Sequence, residues 1–301
     1  MLTKKQICDL KKIVHGNLET KVSLKNHTSF RIGGVADVII YPSEITELID
    51  AILYLNKIKC KYFCFGLGTN LLVCDNDVKD IVIIKLGRNF NHITVDENKI
   101  IAYSGASVNS ICMKALNTEL TGMEDAFGIP GSIGGAVLMN AGAYNFECKN
   151  VVKRVVAIVN NKIQVFTDCN FSYRHSIFQD LKNVIILQVE LELNKGNKDT
   201  IKSRMDEIML KRKTTQPLEF ASAGSIFKRK DNIIVSKEIE NMGLKGTKIG
   251  GAMISTKHAG FIVNVGNAKC KDVIELINIV KDKFKKEKNI ELEEEIKYLG
   301  D

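Results

Sequence analysis

Tryptophan is absent from the 301 residues, and only seven tyrosines are present. Proteins that bind single-stranded nucleic acid stack the bases on aromatic side chains, and this sequence offers few of them. No run of about 18 apolar residues occurs, which is the length that a transmembrane helix requires. The N-terminal segment is charged and lacks a continuous apolar core, so no signal peptide is predicted. We therefore expect a globular cytoplasmic protein that neither binds nucleic acid nor inserts into a membrane.

The eight cysteines lack the spacing of a metal site. No CxxC pair occurs, and Cys60 and Cys64, the closest two, have no second pair and no histidine partner. We expect reduced thiols, most of them buried, and no bound metal. The sequence also contains no GxxxxGK[ST] string, which excludes a P-loop.

The net charge of +8 arises from 43 basic and 35 acidic residues. The basic residues are spread along the chain, and acids interrupt the densest basic cluster, at residues 281–288. This pattern favours a solvated helix face over a patch that binds nucleic acid. A non-catalytic module that binds a polyanion is kept as an alternative.

Apolar residues recur at helical spacing over 45–55 and over 273–284. Each segment predicts an amphipathic helix, and a further helix is predicted over 201–213. Segments with the patterns of β-strands are interspersed with these helices. The sequence therefore predicts a mixed α/β protein.

Two segments have the apolar patterns of strands. Residues 81–86 are almost continuously apolar, which predicts a buried strand. Residues 184–193 alternate, and this alternation predicts one apolar face and one polar face. The apolar face would comprise Ile185, Leu187, Val189 and Leu191.

The first of two glycine-rich stretches contains Gly66 and Gly68, which follow the strand-like residues 61–65. Backbone N–H groups in such a turn can reach a phosphate. A Rossmann fingerprint would need a third glycine at the position of Leu71, so that fingerprint is absent. The turn either binds phosphate or only reverses the chain.

The second stretch, from Ala126 to Tyr144, contains five glycines interleaved with Ile, Val, Leu and Met. A surface linker would carry Ser, Lys and Glu between its glycines. The observed pattern is typical of a buried backbone surface. Either the chain packs closely against itself there, or its N–H groups face a large ligand.

Seven motifs follow one another along nearly the whole chain. They are NHTSFRIGGVAD (26–37), GLGTNLLV (66–73), GIPGSIGGAVLMNAGAY (128–144), FSYRHSIF (171–178), SAGSIFK (222–228), GGAMISTKHAGFIVN (250–264) and LEEEIKYLG (292–300). Their content and order closely resemble the UDP-N-acetylenolpyruvoylglucosamine reductases of peptidoglycan synthesis. No insertion is evident in the last third, which indicates the compact subtype of that family.

The resemblance implies an α+β (mixed α/β) flavoprotein. Its FAD-binding domain would have two lobes, at residues 1–85 and 86–200, in the fold of vanillyl-alcohol-oxidase (PCMH) type enzymes. Residues 201–301 would form an α+β substrate-binding domain. The family further implies non-covalent FAD, NADPH as hydride donor, and UDP-N-acetylglucosamine enolpyruvate as the substrate that becomes UDP-N-acetylmuramate. We expect a monomer.

The resemblance also implies that the glycine stretches hold the cofactor. FAD is long, flat and dianionic, and glycines allow it to approach many backbone N–H groups closely. The implied FAD-binding residues are Gly66, Gly68, Thr69, Asn70 and Leu71 at the pyrophosphate, and Gly128, Ile129, Pro130, Gly131, Ser132, Gly134 and Gly135 along the flavin and ribityl portion.

Three residues are implied to carry out the reduction. Arg174 would bind the enolpyruvyl carboxylate with paired donors, and Glu295 would orient or polarise the same group. Ser225 would donate a proton to the carbon that does not receive the hydride, which requires a hydroxyl fixed within hydrogen-bond reach. Glu293 and Glu294 are expected to face solvent.

Basic and polar residues near the mouth of the site would meet the phosphates of the substrate and of NADPH. The implied substrate contacts are Tyr173, Lys213, Gln216, Lys228 and Lys257. A flavin oxidase that acts on an alcohol or a sugar lactone is the enzymatic alternative with the same fold.

Overall fold

The structure is a computed structural model that describes residues 2–87, 89–230 and 233–300. The chain packs as two compact units. Unit 1 comprises Met1–Thr20, Val38–Leu67 and Asp80–Lys211, and unit 2 comprises Lys21–Asp37, Gly68–Lys79 and Arg212–Asp301. The division predicted from the sequence, at residues 85 and 200, stays a prediction.

Helices and strands are interspersed, which confirms the mixed α/β fold. The α-helices are α1 (Lys4–Ile13), α2 (Ile45–Lys57), α3 (Val108–Asn117), α4 (Ile133–Leu138), α5 (Lys198–Thr215), α6 (Val235–Asn241) and α7 (Cys270–Lys288). The strands are β1 (Leu18–Ser23), β2 (Val35–Ile40), β3 (Lys61–Phe65), β4 (Leu71–Val73), β5 (Val78–Lys85), β6 (Ile93–Asp96), β7 (Lys99–Tyr103), β8 (Leu120–Thr121), β9 (Gly142–Ala143), β10 (Phe146–Glu147), β11 (Val152–Val159), β12 (Lys162–Phe166), β13 (Val184–Glu192), β14 (Asn194–Lys195), β15 (Ala221–Ser225), β16 (Lys248–Ile249), β17 (Ala252–Ile254), β18 (Phe261–Asn264) and β19 (Lys297–Leu299). The predicted helices are confirmed as α2, α5 and α7, and the predicted buried strand is β5.

The first sheet has the strand order β1–β2–β5–β3, in which β3 and β5 run parallel. Helix α2 presents Leu48, Ile52 and Leu55 to the core, and these residues pack together with apolar side chains of α1, β2 and β5. Their spacing of three or four residues aligns them on one face of the helix. Strand β3 ends at Phe65, so the first glycine turn follows directly from this sheet.

The second sheet lies in unit 1, and its order is β12–β11–β13–β7–β6. The predicted alternation of β13 is wrong in one respect, because its apolar residues divide between two cores. Ile185 and Leu187 pack in one core, whereas Val189 and Leu191 pack in the other. The pairing of β13 with β11 shifts register where Val156 and Ala157 face Gln188 and Ile186, so Leu187 is an extra residue. A bulge of this kind reverses the alternation of the residues beyond it.

Glu190 lies on β13 and is only 9% exposed. Its carboxylate accepts hydrogen bonds from Arg154, at 2.9 and 2.7 Å, and lies 3.1 Å from the Lys99 ammonium. Burial acts to raise the pKa of Glu190, but the hydrogen bonds from Lys99 and Arg154 outweigh it and lower the pKa below its ordinary value. The ionised carboxylate therefore stabilises the folded state.

We expect Glu190→Gln to lower the midpoint of thermal unfolding at pH 7 by roughly 2–6 °C. The contribution of Glu190 is present above about pH 4.3, the pKa of an unfolded glutamate, and is lost as pH falls through the lower folded-state pKa. Calorimetry from pH 7 to pH 3 should show the two proteins converging. Glu192→Gln, which removes a more exposed partner of Lys153 on the same strand, is the control. A gap that stays constant at low pH would contradict this role.

Unit 2 contains an antiparallel sheet with the order β15–β18–β17–β16. Helix α7 packs against it through a buried face that includes Val273, Ile277, Val280 and Phe284. A separate parallel pair joins β4 to β19, with Leu71 opposite Lys297. This pair brings the residues that follow the first glycine turn alongside the C-terminal strand.

None of the helices in the described part of the chain is long and apolar enough to cross a membrane. Within the same residues, no three His, Cys, Asp or Glu side chains form a group able to hold a metal ion. All eight cysteines are free, and five of them are buried, which agrees with the expected reduced thiols.

Candidate active site

The two glycine stretches meet at Gly66 and Ser132. A Cβ atom added to Gly66 would lie 2.0 Å from Ser132 Oγ and 2.8 Å from Ser132 Cβ, closer than real Cβ contacts. The two stretches are separate in the sequence. In unit 1 of the structure, Gly66 of the first lies against Ser132 of the second. Glycine at position 66 is therefore required by the packing of one loop on the other.

Lys85 lies beside the same turn, and sequence analysis did not identify it. Its ammonium donates to Gly66 O at 3.2 Å and lies 4.5 Å from the centroid of the Phe65 ring. Burial lowers the pKa of Lys85 to about 8. Only its place at the end of an apolar strand marks this lysine in the sequence, and that signal is weak.

Helix α4 begins within the second glycine stretch and is fixed by its first two N–H groups. Ile133 N–H donates to Ala106 O and Gly134 N–H to Ser104 O, each at 2.8 Å. A Cβ atom at Gly134 would lie 2.6 Å from Ser104 Cβ, so packing excludes a side chain there. Gly135 differs, because it is exposed and its Cβ would meet nothing closer than Ser132 Oγ at 3.6 Å. Close self-packing thus explains one of these neighbouring glycines and not the other.

The residues before α4 form a loop that only glycine adopts readily. Gly128 has φ +83° and Gly131 has φ +132°, values in the left-handed region that side chains disfavour. Gly128 N–H donates to Asn109 Oδ1 at 2.7 Å, and Gly131 O accepts from Val108 N–H at 3.0 Å. Both contacts fix the loop to the start of α3.

Arg174 lies in a two-residue turn of unit 1. Ser172 and His175 exchange backbone hydrogen bonds of 3.1 and 3.2 Å across this turn. Arg174 has φ +55°, a strained value for a residue with a side chain. Its guanidinium donates from Nη2 to Gly142 O at 3.0 Å and lies over the Tyr173 ring. The predicted substrate-binding Tyr173 and the predicted catalytic Arg174 are therefore in contact.

Two neutral side chains that the sequence did not single out support this turn. Asn140 Nδ2 donates to Ser172 O at 2.8 Å, and Gln179 Nε2 donates to Arg174 O at 3.0 Å. Asn140 is 1% exposed, and Gln179 is half-buried. Neither charge nor spacing marks them in the sequence, although Asn140 lies inside one of the seven motifs.

In unit 2, Ser225 and Glu295 lie on adjoining segments of backbone. Ser225 ends β15, opposite Phe261 of β18. Glu295 N–H donates to Ile226 O at 2.7 Å, so the C-terminal segment lies directly beside the residue that follows Ser225. Both Ser225 and Glu295 are half-buried. The structure thus brings together two of the three predicted catalytic residues, and Arg174 belongs to unit 1.

The first glycine turn continues in unit 2 and is bonded to both of these segments. Asn70 Nδ2 donates to Glu295 O at 3.0 Å, and Asn70 O accepts from Lys297 N–H at 2.9 Å. Ser29 N–H donates to Gly68 O at 3.1 Å, and Ser29 Oγ donates to Ser222 O at 2.7 Å on the strand of Ser225. Ser29 was not identified from the sequence, since a serine inside a motif carries no distinctive signal.

The predicted substrate-binding lysines of unit 2 have protein partners. Lys257 Nζ donates to Lys213 O at 2.6 Å, which brings these two residues together. Lys228 forms an ion pair with Glu293. Gln216 is joined to its helix through its N–H, which donates to Arg212 O at 2.8 Å.

The acidic run before Glu295 does not face solvent uniformly. The Glu293 side chain is 70% exposed, as expected. The expectation is wrong for Glu294, whose side chain is 17% exposed and pairs with Lys281. Tyr298 also donates to the Glu294 carboxylate. Glu294 therefore serves to fix the C-terminal segment to α7.

Two family models match separate parts of the chain. Residues 36–161 match an FAD binding domain, and residues 216–299 match the C-terminal domain of UDP-N-acetylenolpyruvoylglucosamine reductase. The first range contains both glycine stretches, and the second contains Ser225 and Glu295. The predicted cofactor residues therefore fall in the first range and two of the predicted catalytic residues in the second, whereas Arg174 lies between the two ranges.

Individual relatives agree along almost the full chain. The UDP-N-acetylenolpyruvoylglucosamine reductase of Caldanaerobacter subterraneus is 45% identical over 296 residues, which is 97% of each chain. That of Fervidobacterium nodosum is 45% identical over 276 residues, 91% of this chain and 89% of the relative. The crystal structure of the reductase from Thermus caldophilus superposes with a TM-score of 0.79 at 32% identity, over 93% of this chain and 98% of that one. The chain belongs to the UDP-N-acetylenolpyruvoylglucosamine reductase family and is an FAD-dependent oxidoreductase.

Proposed function

We propose that the chain reduces the enolpyruvyl group of UDP-N-acetylglucosamine enolpyruvate to give UDP-N-acetylmuramate, a precursor of peptidoglycan, with NADPH as hydride donor. The observation that carries the proposal is the hydrogen bond from Glu295 N–H to Ile226 O, at 2.7 Å. It holds a carboxyl group and the Ser225 hydroxyl on neighbouring half-buried segments. A proton donor beside a group that polarises the substrate is what reduction of an enol ether requires.

The residues of the two glycine stretches fit FAD. Gly66 packs on Ser132, so the backbone of the two stretches is close enough together to face one long cofactor. Gly135 is exposed, and protein packing would allow a side chain at this position. The presence of glycine there supports contact with a ligand. Lys85 would add positive charge near the cofactor phosphates. When bound, FAD would supply hydride transfer from NADPH to the enolpyruvyl double bond.

Ser225 would donate the proton that the second carbon of the double bond takes up. A serine hydroxyl is a weak acid, so it must be held within hydrogen-bond reach of a strongly basic carbon. The end of β15 holds Ser225 through pairing with Phe261. Solvent would return the proton to the Ser225 oxygen.

Arg174 and Glu295 would act on the carboxylate of the enolpyruvyl group. The guanidinium offers paired donors that spread the charge that develops as the double bond is reduced. Glu295 would orient or polarise the same group. Tyr173, Lys213, Gln216, Lys228 and Lys257 would contact the sugar nucleotide, and we propose that the protein acts as a monomer.

Gly134→Ala and Gly135→Ala separate protein packing from cofactor contact. At Gly134 the new methyl group would lie 2.6 Å from Ser104 Cβ, so this variant should unfold at lower temperature with or without FAD.

At Gly135 the helix gains about 0.5–1 kcal/mol from alanine, so the apoprotein should be at least as stable as the parent protein. We nevertheless expect Gly135→Ala to weaken FAD binding by tenfold or more, because the methyl group would occupy the cofactor surface. Fluorescence titration with FAD measures this, and unchanged affinity would exclude Gly135 from the site.

The proposed activity is tested by following both reactants. Purified protein reconstituted with FAD should consume NADPH and the enolpyruvyl sugar nucleotide in equal amounts, and mass spectrometry should find a product heavier by two hydrogens. NADPH oxidation that depends only on oxygen, with the sugar nucleotide unchanged, would support a flavin oxidase instead. A protein that does not bind FAD would contradict the proposal.

A further inference from the structure

We propose that Asn140 and Gln179 are positioning residues that hold Arg174 in the orientation in which it binds the substrate carboxylate. The inference rests on the role proposed above for Arg174. It extends that role to two buried or half-buried side chains that act on the turn of residues 172–175, which we call the arginine turn.

The arginine turn is short and has a strained residue. Two backbone hydrogen bonds between Ser172 and His175 close it, and they form an isolated bridge outside the named strands. Arg174 has φ +55°, and a residue with a side chain keeps such a conformation only when its surroundings hold it there. The support must therefore come from neighbouring segments.

Asn140 connects the arginine turn to the end of the second glycine stretch. Its Nδ2 donates to Ser172 O at 2.8 Å and to Glu147 Oε2 at 3.3 Å, and its Oδ1 accepts from Lys149 N–H at 3.1 Å. Asn140 is 1% exposed, so Asn140→Ala removes a buried amide together with its three contacts. The nitrogen and the oxygen of the Asn140 amide thus connect its own segment to the arginine turn and to residues 147–149.

Gln179 holds the other side of the turn. Its Nε2 lies 3.0 Å from Arg174 O and 3.0 Å from Leu138 O, at the end of α4. Ser176 Oγ donates to the same Leu138 O at 2.7 Å. The carbonyl group of the strained residue is therefore tied to the helix that begins at the predicted flavin loop.

The guanidinium itself is fixed by the segment that Asn140 holds. Arg174 Nη2 donates to Gly142 O at 3.0 Å, and a Cβ atom at Gly142 would lie 3.4 Å from Arg174 Nη1 and 2.8 Å from Glu147 Cγ. The hydrogen bond from Lys149 is the main cause that lowers the pKa of Glu147, and Asn140 and the nearby positive charge of Arg174 lower it further. Asn140 thus contacts the arginine turn directly and lies two residues before Gly142, whose carbonyl oxygen binds the guanidinium.

A double-mutant cycle tests the proposal in the FAD-loaded protein. We expect Asn140→Ala and Gln179→Ala each to slow reoxidation of the flavin by the sugar nucleotide at least tenfold, with reduction by NADPH changed less than twofold. In an Arg174→Ala background the same substitutions should change reoxidation less than twofold, because they act through Arg174. Effects that multiply in the double variants, or that slow both half-reactions equally, would overturn the proposal.

A second readout does not depend on activity. Hydrogen exchange of the peptide spanning 170–181 should become faster in both variants. Outside residues 138–149, where the same two side chains also make contacts, the other peptides of unit 1 should stay unchanged. Asp180→Asn, which weakens only the contact of Asp180 with His175 on the same turn, is the matched control and should leave reoxidation unchanged. If Asn140→Ala does not fold, the half-buried Gln179 carries the cycle alone. Normal reoxidation in Arg174→Ala would contradict the role of Arg174 itself. If Arg174→Ala slows reoxidation tenfold, and Asn140→Ala or Gln179→Ala slows it further in that background, only the positioning role is contradicted.

Discussion

Ser225→Ala should reduce its flavin with NADPH at nearly the normal rate and stall when the sugar nucleotide is added. The reason is that Ser225 is proposed to supply a proton only in the second half-reaction. A positioned proton donor contributes roughly 10²–10⁴-fold to the rate, so reoxidation should slow by that factor. Stopped-flow absorbance of each half-reaction, recorded separately, measures the effect.

Ser222→Ala is the matched control for this experiment. Ser222 lies on the same strand, and it is its carbonyl, not its hydroxyl, that accepts the hydrogen bond from Ser29. The control should reoxidise normally. Equal slowing of both half-reactions in Ser225→Ala would show that the substitution disturbs the cofactor, and Ser225 would then not be the proton donor.

Arg174→Ala should slow reoxidation by roughly 10²–10³-fold, the usual loss when one donor to a developing negative charge is removed. Arg174→Lys should recover only part of the rate, because an ammonium group cannot present paired donors to a carboxylate. Reduction by NADPH should be unaffected in both variants. Saturation with sugar nucleotide separates the loss of affinity from the loss of rate.

Arg154→Lys provides the comparison for Arg174→Lys. It makes the same chemical change at an arginine whose two donors bind Glu190 in the second sheet and which has no proposed part in the reaction. We expect it to leave both half-reactions unchanged. Full activity in Arg174→Ala would contradict the proposed binding of the carboxylate.

The sequence predicted those parts of the fold that depend on local patterns. Periodic apolar residues predicted α2 and α7, because a helix that packs on a sheet must be apolar on one face. The helix predicted over 201–213 is α5. Alternation failed for β13, because the bulge at Leu187 arises from pairing with β11, a long-range interaction that the pattern of one strand does not report.

The candidate site shows the same limit. Motif content and order identified Arg174, Ser225 and Glu295, which have chemistry that the proposed reaction needs. They did not reveal that Gly66 packs on Ser132, or that Asn70 donates to the carbonyl of Glu295. Asn140 and Gln179 were missed for a related reason: a neutral amide has no charge pattern, and its role is visible only once distant segments are brought together.

The most direct test of the account is an anaerobic visible spectrum of the purified protein, recorded during addition of NADPH and then of UDP-N-acetylglucosamine enolpyruvate. The account predicts a yellow protein that loses its colour with NADPH and recovers it only with the sugar nucleotide. Loss of colour without recovery would exclude this sugar nucleotide as the acceptor. Absence of flavin after reconstitution with FAD would contradict the account as a whole.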